Sequence, residues 1–110
     1  MARLGEFVMQ HRYRVAPTDR DRLLPLLGQI RAYALDLGVA TFEVWQDDGD
    51  AWQWTELHGY DSWSHAQRLA KKPMPGEMQE VYRSLERLVE GGADGVETVT
   101  WNVADLPDSR

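Results

Sequence analysis

The chain has 110 residues, no cysteine, and 18 acidic against 12 basic side chains, for a net charge of −6. That length predicts one domain over 1–110, and an apolar share of 43% is too high for a disordered chain. The acidic balance argues against a nucleic-acid partner. The lack of thiols removes disulfides and thiolate metal sites, and no apolar run approaches the ~20 residues of a membrane span. With no secretory core in MARLGEFVMQ, a cytoplasmic protein is expected.

Residues 7–15, FVMQHRYRV, alternate as a strand: Phe7, Met9, His11, Tyr13 and Val15 on one face, Val8, Gln10, Arg12 and Arg14 on the other. Pro17 and Thr18 end it. A helix is expected from Asp19 or Asp21 to Leu37, with Leu23, Leu27, Ile30, Ala34 and Leu37 as its apolar stripe and Gly38 as its stop. Pro25 either lies near the start of that helix or kinks it. Residues 39–46 form a second strand, joined by the DDGD turn at 47–50 to a third.

The third strand is the most informative stretch. In AWQWTELHGYDSW, Trp52, Trp54, Glu56 and His58 point one way, and Gln53, Thr55 and Leu57 the other. Two indoles, a carboxylate and an imidazole therefore share one face. Gly59 is expected to break the strand, after which Asp61 or Ser62 caps a short helix reaching Lys71, before Pro73. The loop KKPMPG follows, and its Pro73-Met74-Pro75 segment is a candidate gate to a cavity or simply a connector. A longer helix is expected over 77–90 with Met78, Val81, Leu85 and Leu88 inward, stopped by Gly91 and Gly92. A last strand covers 95–103, and a polar tail follows Leu106 and Pro107.

The order βαββ(α)αβ is that of an α+β, ferredoxin-like split βαβ fold: a four-stranded antiparallel sheet with helices on one face. Such a sheet leaves its second face open. Large side chains on both faces of strands one, three and four predict that two copies pack sheet to sheet as a homodimer.

These features resemble the dimeric α+β barrel superfamily, which includes the antibiotic biosynthesis monooxygenase-like proteins. The stretch RVAPTDRDRLL looks like that family's first strand running through a proline into helix one. The local likeness is strongest to the small domain appended to some bacterial major-facilitator transporters. It rests on Pro17, Asp19 and Arg20, on Phe42 and Trp45 in the hairpin, and on Glu56, Asp61, Ser62 and Trp63. The resemblance implies a homodimer closing into an α+β barrel, with a ligand cavity between sheet and helices of each subunit. It implies, for some members, oxidation of aromatic substrates by O₂ without metal, flavin or other cofactor. Haem-degrading relatives use a histidine on the helix after strand three and an asparagine on strand one. Here Leu69 stands near the first slot, with His65 on a different turn, and His11 falls near the second.

The chemistry then has few carriers. Three histidines at 11, 58 and 65, without HxH or HExxH spacing, do not suggest a metal site. His11, between Met9 and Tyr13, reads as a core histidine or as a base. Glu56 and His58 lie ~6–7 Å apart along the strand, too far for a direct hydrogen bond on backbone spacing alone but near enough to influence one another. They read as a polar pair at a dimer seam or as part of a site; His65 is expected at the surface. For an aromatic or hydrophobic ligand, Trp45, Trp52 and Trp54 could form the walls. His11 or His58 would be the base, and Arg12, Tyr13 and Tyr60 the hydrogen-bond donors, with Glu56 alongside. The other reading is a non-catalytic dimerisation or ligand-sensing module of the same fold.

Overall fold

The computed structural model describes residues 5–107, so the first four residues and the polar tail at 108–110 lie outside the described residues. The elements are β1 (Phe7–Arg14), α1 (Arg20–Leu37), β2 (Thr41–Gln46), β3 (Gln53–Tyr60), α2 (Trp63–Ala70), α3 (Gly76–Leu88) and β4 (Glu97–Asn102), with short 3-10 turns at Pro17–Asp19 and Gly92–Gly95. The strands form one antiparallel sheet in the order β2-β3-β1-β4. That is the split βαβ arrangement, with helices on one face. Because β3 lies between β2 and β1, the two strands that flank α1 in sequence never touch.

The strand alternation sets the two faces. Phe7 and Tyr13 of β1, Val15 just beyond it, and Trp54, Glu56 and Tyr60 of β3 are buried beneath the helices. On α1, Leu23, Leu27, Ile30 and Ala34 are buried, spaced as one stripe. Helix α1 runs unbroken past Pro25, its sixth residue; the pyrrolidine lacks the N–H that would reach the Asp21 carbonyl, and Asp21 stands on an exposed first turn where the missing bond costs least. Helix α3 buries Met78 and Leu85 and packs largely against α1, with Val81, Tyr82 and Leu88 half-buried beside them.

Two expectations change. Gly59 does not end β3: it pairs with Val8 on one side and Thr41 on the other, and the strand continues to Tyr60. A glycine flanked by strands on both sides keeps its ladder bonds, so its weak strand preference is overridden by its neighbours. His65 is also less exposed than expected. Its side chain is 14% accessible, its Nδ1 accepts the Asp61 N–H at 3.0 Å, and its ring meets Tyr60 edge-on at 5.9 Å. Ser62 is the cap of α2, its Oγ accepting the His65 N–H at 3.1 Å.

The opposite face of the sheet is uncovered. Trp45, Val99 and Trp101 stand on it with 58%, 41% and 55% of their surface exposed. Strand β4 is exposed along its whole length.

Candidate functional site

Between the helix-side face of β3-β1-β4 and α3 lies a cavity of about 560 Å³. It exists because α3 leans on α1 and leaves the β1–β4 half of the sheet uncovered. Its floor is Met9, His11 and Tyr13 from β1, Glu56, His58 and Tyr60 from β3, and Thr98 from β4. Tyr82, Leu85 and Glu86 of α3 form the opposite wall. Met74 and Ala70 close one end, and Val89, Ala93 and Val96 the other.

Antiparallel register brings the polar residues together. His11 lies opposite Glu56 and Thr98, Met9 opposite His58, and Tyr13 opposite Trp54. Glu56 is 4% exposed, the single buried charged side chain among the described residues. Both of its oxygens are engaged: the Tyr13 hydroxyl donates to Oε2, and His58 Nε2 lies 2.9 Å from Oε1. The second contact corrects the expectation from backbone spacing. Two long side chains two residues apart lean along the strand toward each other, and their tips meet although their Cα atoms do not approach. The pair also belongs to the helix-side cavity and not to the open face.

His58 stacks on Phe42, with ring centres 4.5 Å apart and 27° between planes, which fixes the imidazole over the sheet. His11 meets His58 edge-on at 4.8 Å, and its Nδ1 lies 2.9 Å from Thr98 Oγ1. Burial lowers the His11 pKa below its ordinary value; the neighbouring His58 lowers it further, against an opposing pull from Glu56. The imidazole is therefore held neutral, the form that can accept a proton. Burial and the Glu56 carboxylate both push the Tyr13 hydroxyl upward, so it stays a donor. Tyr82 is pushed up to about 12, first by burial and then by Glu56, and burial also raises Tyr60. The site thus holds neutral phenols, a neutral imidazole, and one carboxylate bridging Tyr13 to His58. That set can orient a ligand hydroxyl and take its proton within apolar walls.

The structure brings His11, Tyr13, Glu56, His58 and Tyr60 together at this cavity. Arg12 and the tryptophans lie elsewhere. Arg12 and Trp45 occupy the open face of the sheet, where the alternation of β1 and β2 directs them. Trp54 is packed in the core at 4% exposure and does not line the cavity. Trp52 precedes β3, with the Arg14 guanidinium 5.5 Å from its ring centre; Arg14 in turn contacts Asp50 at 2.7 Å. The aromatic wall of the cavity is made of tyrosines. Tyr82 was legible in principle, since Met78, Tyr82, Leu85 and Val89 follow a helical period facing the sheet. Among the described residues no three His, Cys, Asp or Glu side chains are arranged to hold a metal ion.

Neither a family of sequences nor a curated protein sequence matches the chain. Solved structures do match in fold. A variant of SnoaB, a cofactor-independent oxygenase from Streptomyces nogalater, superposes with a TM-score of 0.69 at 12% identity, covering 93% of this chain and 97% of that one. An antibiotic biosynthesis monooxygenase gives 0.70 at 8% identity, covering 90% and 99%. A conserved protein from Methanosarcina mazei Go1 gives 0.69 at 12% identity, covering 87% and 90%. At such identities the likeness concerns the backbone alone: the chain shares the ferredoxin-like fold of these structures over 87–93% of its length.

Proposed function

We propose that the protein binds a neutral, hydroxyl-bearing aromatic metabolite in the cavity beside His11 and His58 and oxidises it with O₂, without a cofactor. The observation that carries this reading is the buried Glu56, which ties Tyr13 to His58 at the floor of a 560 Å³ space otherwise walled by apolar and phenolic side chains. A volume of that order suits a metabolite of a few rings. An imidazole takes the proton from the ring hydroxyl, and Tyr60 is the donor available to the anion that forms, since the Tyr13 hydroxyl is committed to Glu56. The electron-rich anion attacks O₂ at a ring carbon. One oxygen atom stays on the ring, and the other leaves as water, with the hydroxyl proton and the hydrogen displaced from that carbon. The substrate supplies both electrons, so no outside reductant is required.

The same reading includes a homodimer formed through the open face of the sheet. Trp101, Val99 and Trp45 are exposed there, and a second sheet laid against them would complete an α+β barrel. Phenols, hydroquinones and haem should be screened by thermal shift; a specific ligand raises the melting point as its concentration rises, by about 2.7 kcal/mol of stability at a hundred times Kd. Turnover is then compared in His11→Ala and His58→Ala. Loss of 10²-fold or more in one of them identifies the base. Wild-type rates in both would remove imidazole from the mechanism, and binding without turnover would favour the ligand-sensing alternative akin to the transporter-appended domain.

A further inference from the structure

A second, smaller space of about 180 Å³ lies beside the first, under α2. The two share Met9, His58, Tyr60, Ala70, Met74 and Tyr82 in their walls, so they meet at a junction and do not sit on separate sides of the molecule. Their chemistry differs. The larger holds the carboxylate and both imidazoles. Beyond the junction the smaller is lined chiefly by Ala34, Leu37, Val39, Ala66 and Leu69, with Tyr33 beside them and Lys72 at its rim, where Nζ lies 3.5 Å from the Leu37 carbonyl. An apolar space of roughly 150 Å³ can take one benzene-sized group, so this slot is large enough for a short alkyl arm or a single ring.

We propose that the smaller space is a side-arm subsite of the same binding site, and that the natural ligand has two parts: a hydroxyl-bearing ring held near His11 and Glu56, and an apolar arm that passes Met74 and Tyr82 into the slot between α1 and α2. The inference rests on the proposed ring-binding site and adds the shape of what enters it. The junction fixes the order of the parts. A hydroxyl placed in the slot would meet mainly alkyl side chains, whereas in the larger space it meets donors and acceptors on three strands.

The test uses phenol, 4-ethylphenol, 4-butylphenol and 4-hexylphenol as probes, with affinities from calorimetry on the whole chain. In the wild type, affinity should rise about three- to four-fold per methylene and then level off as the slot fills. Ala66→Leu, which narrows the slot alone, should flatten that rise while phenol keeps its affinity within about two-fold. If Ala66→Leu does not fold, Leu37→Phe narrows the slot from the α1 side. Equal slopes in wild type and a folded narrowed variant, or a flat series in the wild type, would overturn the subsite while leaving ring binding intact. No binding of any of the four would overturn the ring site and the subsite together.

Discussion

His11 is the residue at which the site is coupled to folding. Folding moves its imidazole from water to a place where burial, and then His58, oppose a positive charge, with Glu56 pulling the other way. The unfolded chain takes up this proton near pH 6.5, and the folded protein takes it up only at lower pH. The unfolded state therefore binds more protons as the solution is acidified. His11's contribution to stability is complete above pH 6.5 and is lost as the pH falls through the folded value. Urea unfolding at pH 7.5 and 5.5 should show a smaller loss on acidification in His11→Gln than in the wild type. An identical loss in both would mean that His11 is not held neutral by the fold.

The neighbouring residues show what spacing alone conceals. Glu56 and His58 could be assigned to one face from the alternation of β3, and the helix-side location of His11 and Tyr13 followed from the same rule. Their direct contact did not, because it depends on side-chain rotamers and on Phe42 from another strand, which holds the His58 ring in place. The tryptophans misled for a related reason. A large ring at strand spacing announces an apolar face, but not whether that face is core, interface or cavity. Trp54, Trp52 and Trp45 take three different environments.

At the level of elements, the stripe of α1 and the alternation of β1 were plain in the chain, while Gly59 in β3 was not, since only its two flanking strands keep it extended. The turn from α3 into β4 is the other place where glycine decides the structure. Gly91 and Gly92 have φ of 83° and 63°, and a Cβ at Gly95 would lie 1.9 Å from the Glu90 carbonyl oxygen. Glu90 cannot easily retreat, because its N–H donates to the Arg14 carbonyl at 2.8 Å and ties the turn to β1. Gly95→Ala should therefore cost about 1–3 kcal/mol, a melting point lower by roughly 5–15 °C, and should disturb the cavity end formed by Ala93 and Val96. Gly28, in the middle of α1 with open space around it, should respond with the opposite sign. Gly28→Ala is expected to add about 0.5–1 kcal/mol by restricting the unfolded chain and favouring the helix. Thermal melts of the two variants side by side check both signs.

For the whole molecule, the open face of the sheet is the feature that a lone protomer does not explain. Trp101 and Val99 on β4 and Trp45 on β2 are 41–58% exposed, on the face of the sheet that no helix covers. Sedimentation at micromolar concentration should find a dimer, and Trp101→Glu should shift it to monomer. A wild-type monomer at that concentration would remove the barrel from the proposal. The sequence made this face visible as a second apolar surface. It could not show that the cavity opens on the opposite side, because that depends on α3 resting against α1.

The exposure of β4 separates what keeps this protein folded from what gives its chamber a side. The aliphatic and aromatic interior is gathered over β2, β3 and β1, while β4 hangs from β1 by its ladder and presents both surfaces to water. Thr98, the partner of His11, rides on that outermost strand. Loosening the margin of the sheet would thus unmoor an imidazole long before it melted the globule, and a neighbour that braces the margin would hold that ring in place without touching it.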